Sequence, residues 1–115
     1  MTAPTIDRAT FDELKETAGA DFVVELVDTF LVEAPAMLAG LRSAFEARDA
    51  ETFRRTAHSL KSNGNTFGAQ RFAAMAKALE QGGMAPVVST AGVPLADLDD
   101  EYARVAAALK EIAHA

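Results

Sequence analysis

Cysteine is absent from the 115 residues, which excludes disulfides, thiolate metal sites and cysteine nucleophiles. Tryptophan is also absent and aromatic residues make up only 7% of the chain, whereas half of it is apolar and rich in alanine and leucine. With β-branched clusters equally sparse, that balance favours an all-helical domain. No apolar run approaches the roughly 20 residues needed to span a bilayer. The opening Met1-Thr2-Ala3-Pro4 lacks the basic start and apolar middle of a secretion signal, so a cytoplasmic protein away from the membrane is expected. Cations are outnumbered 11 to 17 by acids, and a net charge of −6 argues against nucleic acid as a partner. Internal repeats and low-complexity segments are lacking too. The length fits one domain over residues 1–115 and is too short for two.

What is present reads as helices. Residues 7–18 form a short amphipathic stretch with Phe11 and Leu14 on one side, closed by Gly19. A long helix follows from near Asp21, a plausible N-cap, with Phe22, Leu26, Phe30, Met37, Leu41 and Phe45 on its buried side. Val23, Val27, Leu31 and Leu38 broaden that stripe. Pro35 predicts a kink or a break within it. Asp49 is a good N-cap for a helix running to about Phe67, and Gly68 supplies the next turn. A further helix spans Ala69 to about Gln81, with Phe72, Met75, Ala76 and Leu79 inward, before Gly82-Gly83 stops it. Residues 82–93 read as a loop. The last helix starts around Pro94, with Asp97, Asp99, Asp100 and Glu101 crowding its positive end. Leu95, Leu98, Tyr102, Val105, Leu109 and Ile112 then form a bundle seam. The expected architecture is an antiparallel up-down four-helix bundle with a short extra N-terminal helix.

One residue in the third helix faces away from the core. Its apolar stripe is Phe53, Ala57, Leu60, Gly64 and Phe67, spaced four, three, four and three apart. At 3.6 residues per turn, His58 points about 140° from the middle of that stripe. Arg54, Lys61, Ser62 and Asn65 share its face, and Arg55 adds a third nearby cation. Three cations are too few for a duplex but enough to meet one phosphoryl group or one acidic pocket. The same residues also read as an ordinary solvated face on which Arg54, Arg55 and Lys61 pair with Glu51. Gly64, lying on the buried stripe, suggests a close helix contact. No histidine or carboxylate stands three or four residues from His58, and His114 sits in the tail, so a metal site is not expected.

The run Ala57-His58-Ser59-Leu60-Lys61-Ser62-Asn63-Gly64-Asn65-Thr66-Phe67-Gly68-Ala69 closely resembles the signature of histidine-containing phosphotransfer (HPt) domains of bacterial two-component phosphorelays. Ala57, His58, Leu60, Lys61, Phe67, Gly68 and Ala69 match it. Phe30-Leu31-Val32-Glu33-Ala34-Pro35 is similar to the family's apolar-acidic run ending in Ala-Pro, and Arg71 to Glu80 looks like the helix after the active one.

The resemblance implies that His58 is the phospho-acceptor and that Lys61 stabilises the phosphoryl group. It implies docking contacts from Arg54, Arg55, Ser62, Gly64 and Asn65; Ser62 stands where the family commonly has glycine. Glu80 falls where many relatives place Gln or Glu near the histidine, either orienting the imidazole or simply solvated. The partners implied are response-regulator receiver domains, including that of a hybrid histidine kinase, with Mg²⁺ on the receiver and no cofactor on this chain. Without a phosphate-binding loop the chain is expected to be a stoichiometric phosphocarrier, not an enzyme using ATP. A single exposed site and no spare apolar helix favour a monomer. A bundle that docks receivers without carrying phosphate is the rival expectation, although it has no need of His58 and Lys61. A third is the phosphorylatable module of a chemotaxis-type kinase, against which a chain ending at His114-Ala115 reads as a free-standing carrier or an excised fragment.

Overall fold

The computed structural model describes residues 5–113; Met1 to Pro4 and the His114 tail lie outside the described residues. Six helices are found there: α1 (Arg8–Ala18), α2 (Ala20–Glu46), α3 (Ala50–Phe67), α4 (Gln70–Gly82), α5 (Ala85–Ser89) and α6 (Val93–Ala113). The four long ones form the expected bundle, in which α3 packs between α2 and α4 and α6 closes the ring against both. α1 lies across α2 and α3, burying Phe11.

An aromatic cluster ties the four bundle helices together. Phe30 of α2 meets Phe67 of α3 at a centroid distance of 5.4 Å, Phe72 of α4 at 6.4 Å and Tyr102 of α6 at 5.9 Å. Such pairs add roughly 0.5–1.5 kcal/mol beyond simple area burial. Four of the chain's eight aromatics thus come together where the four helices meet.

Helix ends follow from local chemistry. The Asp49 side chain accepts from the Thr52 backbone N–H at 3.1 Å and from its hydroxyl at 2.7 Å, capping α3. These two bonds, the hydroxyl's first, hold the Asp49 carboxyl below the usual carboxylate range. α3 ends where Gly68 turns left-handed, at φ 80°. There the Ala69 N–H donates to Gly64 O at 2.8 Å and the Gly68 N–H to Asn65 O at 3.2 Å, a Schellman closure. The Asp7 N–H in turn donates to Gly68 O at 2.8 Å, fastening the N-terminal segment to the α3–α4 turn. A Cβ at Gly68 would lie 2.8 Å from Asp7 O, so a larger residue is excluded twice over.

Several expectations are corrected. α2 starts at Ala20, immediately after Gly19 at φ 93°, so Asp21 lies in its first turn and is not its cap. Phe22 is about half exposed, while Val23, Val27, Phe30, Ala34, Leu41 and Ala44 form the buried stripe. The two candidate stripes differ by one residue, about 100° of rotation, and the neighbouring helices select the valine side. Of the kink or break expected at Pro35 the break does not occur, and α2 continues as one helix through 27 residues. Residues 82–93 are not wholly loop, since α5 inserts Val87 into the core. α6 begins at Val93, so no acid lies in its first turn. Asp99 instead pairs with Arg42 at 2.8 Å, and Glu101 is buried, clamped by Arg104 at 2.9 Å with Arg71 at 3.8 Å.

Candidate functional site

The backbone of α3 places His58 and Lys61 one turn apart on the side of the helix that borders α4. Gly64 makes that border close: a Cβ there would come within 3.1 Å of the Ala73 Cβ and 3.2 Å of the Ala73 backbone nitrogen on α4. Because consecutive helices joined by the Gly68 turn run antiparallel, bringing Gly64 against Ala73 brings His58 opposite Glu80 nearly two turns away. Gly64 is therefore buried between helices and belongs to the frame of the site. It is not one of the docking contacts expected on the surface.

Glu80 holds the side chains of both His58 and Lys61. Its two carboxylate oxygens each lie 3.1 Å from Nδ1 of His58. The Lys61 ammonium donates to Oε2 at 3.0 Å and lies 3.4 Å from Oε1. Lys61 and then His58, through these hydrogen bonds, keep the Glu80 carboxyl below the usual carboxylate range, against a smaller opposing effect of desolvation. Glu80 is thus ionised at neutral pH. An ionised carboxylate only accepts hydrogen bonds, so the proton of a neutral His58 belongs on Nδ1. Nε2 then carries the lone pair. Among the described residues it has no partner, and the His58 side chain is 54% exposed against 17% for Glu80. The ring is held at one nitrogen and open at the other.

Of the two roles open to Glu80, orienting the imidazole or being solvated, the distances favour the first. Lys61, expected to meet a phosphoryl group, rests here on Glu80 instead, where it neutralises a carboxylate that would repel an incoming anion. Arg54, Arg55, Ser62 and Asn65 are all exposed around the ring, and none has an ion pair or side-chain hydrogen bond among the described residues. Beside them, Arg55, Thr56 and Ser59 of α3 and Ala36, Met37 and Gly40 of α2 line a shallow groove. The groove residues escape a sequence reading because they become neighbours only when α2 packs on α3. The small residues Ala36 and Gly40, three and seven positions after Glu33, are the signal that marks a low helix surface there.

No group of three or more histidine or acidic side chains that could hold a metal ion occurs among the described residues. No helix among them is long and apolar enough to cross a membrane.

Comparison with known proteins bears on the family and the fold. The model of the Hpt domain family matches residues 25–114. The fold is similar to the crystal structure of histidine-containing phosphotransfer protein B (HptB) from Pseudomonas aeruginosa PAO1, with a TM-score of 0.87 and 29% sequence identity over 98% of this chain and 97% of that one. No curated protein matches the sequence. With its four-helix bundle, an exposed histidine on α3 and a family match over most of its length, the chain belongs to the Hpt domain family.

Proposed function

We propose that the chain is a phosphocarrier in a two-component phosphorelay, with His58 as the phospho-acceptor. The observation that carries this reading is the half-exposed imidazole held at Nδ1 by Glu80, 3.1 Å away, with Nε2 open to solvent. An aspartyl phosphate on a receiver domain presents its phosphorus to Nε2. The lone pair forms the N–P bond as the P–O bond breaks, and the aspartate leaves as a carboxylate. Lys61 supplies the adjacent positive charge that screens Glu80 and meets the phosphoryl oxygens, since charge stabilisation and positioning are the main help a protein gives this chemistry. The Mg²⁺ belongs to the receiver, which brings the acidic pocket.

Arg54, Arg55, Ser62 and Asn65 form the rim a receiver meets, including the receiver of a hybrid kinase. Ser62 is small enough to admit it. The carrier acts in stoichiometric amounts, as a monomer in the cytoplasm, and does not use ATP. Incubation of the full chain with a labelled, phosphorylated receiver domain tests this. Acid-labile, alkali-stable label is expected on the wild-type chain and none on His58→Gln; label of equal amount on His58→Gln sinks the assignment.

A further inference from the structure

A second hollow lies at the end of the bundle where α2 hands over to α3, and it shares no residue with the His58 site. The end of α2, the short helix α5 and the start of α6 enclose a cavity of about 440 Å³. Small-molecule pockets run from roughly 300 to 1,000 Å³, so the volume suffices for a ligand. Phe45, Met84, Val88 and Leu95 supply an apolar wall, and Arg42 and Arg48 supply cations. The protein covers that wall only in part: Leu95 is buried, yet Val88 on α5 is 57% exposed. Its back rests on the core, since Phe45 packs against the buried Phe53 ring at a centroid distance of 6.4 Å.

Backbone conformation sets this pocket apart. Among the described residues, only Arg48 and Ala91 combine a side chain with a left-handed backbone, at φ 57° and 54°, and both line the pocket. Arg48 stands just past the end of α2, at the turn position where glycine is favoured. There the Asp49 N–H donates to Ala44 O at 2.9 Å and the Arg48 N–H to Phe45 O at 3.2 Å. A residue with a Cβ is disfavoured in that conformation, and such strain concentrates at ligand clamps. The strained turn carries a guanidinium to the pocket. Arg42, the other cation, is already paired with Asp99 at 2.8 Å. Arg48 has no ion pair or side-chain hydrogen bond among the described residues. Glu46 is the one acid in the lining, so arginines outnumber it there in a chain of net charge −6.

We propose that this pocket binds a small amphipathic carboxylic acid, with its apolar tail on the Phe45, Met84, Val88 and Leu95 wall and its carboxylate on Arg48. A guanidinium presents a planar fork of N–H donors that matches the two oxygens of a carboxylate. A tail seated on the wall covers the face of Val88 that the fold leaves to water. Neither half is enough alone. An exposed arginine gains little from a bare anion in water, and an apolar wall does not choose among oily molecules. A medium-chain fatty acid supplies both halves, and its binding is non-covalent.

Octanoate is the probe, titrated into the full chain and followed by methyl NMR of its methionines, valines and leucines. Saturable shifts at Met84, Val88 and Leu95 are expected, with half-saturation on the order of a millimolar or below. Acetate keeps the charge and 1-octanol keeps the tail; each should bind at least about tenfold more weakly. Arg48→Gly removes the guanidinium and suits the left-handed turn. It should therefore melt no lower than the wild type while losing about tenfold in octanoate affinity. Val88→Asp, which sets an anion on the exposed wall, should weaken octanoate as well. Equal octanoate affinity in the wild type and Arg48→Gly would overturn the proposal. So would equal affinity for octanoate and 1-octanol, or shifts that never saturate and spread to Val32 on the outer face of α2. The assignment of His58 is tested separately, by labelling from a receiver domain.

Discussion

At the scale of single residues, the site is a carboxylate shared between an imidazole and an ammonium. Lys61→Met removes the stronger of the two bonds that keep Glu80 acidic, so the Glu80 carboxyl should titrate at higher pH in the variant, as read from its side-chain carbon resonance. The sign of the stability change follows. A carboxyl with a lowered folded pKa contributes stability above its unfolded value and loses it as the pH falls through the folded value. The wild type should therefore exceed Lys61→Met in stability at neutral pH, with the difference vanishing in acid. Transfer to His58 should slow by about tenfold, short of the hundredfold or more seen when a donor buried against developing charge is removed. The part-exposed ammonium is screened by water, and that sets the smaller figure.

Glu101 obeys a different balance. Its side chain is almost fully buried, yet its partners Arg104 and Arg71 are exposed, so deleting the acid strands no buried charge. Deleting Arg104 does strand one, with only the more distant Arg71 left to face it. Arg104→Ala should cost about 1–3 kcal/mol, and Glu101→Leu, which fills the same space with hydrocarbon, should stay within about 1 kcal/mol of the wild type. Urea melts of the two variants measure the difference; a larger loss for Glu101→Leu would contradict this account. His58 and Lys61 were legible in the sequence through their motif. Glu101 was not, because a run of acids near a helix start looks uniform until packing turns one of them inward.

At the scale of elements, the long helix α2 shows how a local conflict is resolved by tertiary structure. Pro35 has no N–H to donate, so the carbonyl of Leu31, one turn back, lacks its helical partner. The Tyr102 hydroxyl of α6 reaches it at 3.4 Å, a long hydrogen bond from a phenol whose ionisation is pushed up by burial. The break that the sequence allowed therefore does not occur. Tyr102→Phe should cost about 0.5–1.5 kcal/mol in the native background and much less alongside Pro35→Ala, which restores the backbone donor. A double-mutant cycle by thermal or urea unfolding reads that coupling, and strictly additive losses would show that the hydroxyl serves another purpose.

The helix α3 was legible almost to its ends, because Asp49, an unbroken three-four stripe and Gly68 all agree. The helix α5 was not, since five residues with one buried side chain carry no periodicity. The stripe of α2 was misplaced at Phe22 for a related reason: two adjacent apolar rows compete there, and only contact with α1 and α3 decides between them. Glu80 stood between these cases. Its position on α4 was visible, but its distance from His58 depends on how closely Gly64 lets α3 approach α4.

At the scale of the whole molecule, an acidic bundle presents one half-exposed imidazole on a helix, with Arg54 and Arg55 exposed beside it. The scaffold holds His58 at Nδ1 while leaving Nε2 open, and the chain that does so belongs to the Hpt domain family. The central claim is that His58 carries a phosphoryl group between aspartates. Its most direct test mixes the purified chain with one labelled, phosphorylated receiver domain and then with a second, unlabelled receiver. The label should pass through an acid-labile intermediate on His58 to the second receiver, and both steps should be lost in His58→Gln. Passage of label between the receivers at an undiminished rate through His58→Gln would contradict the account.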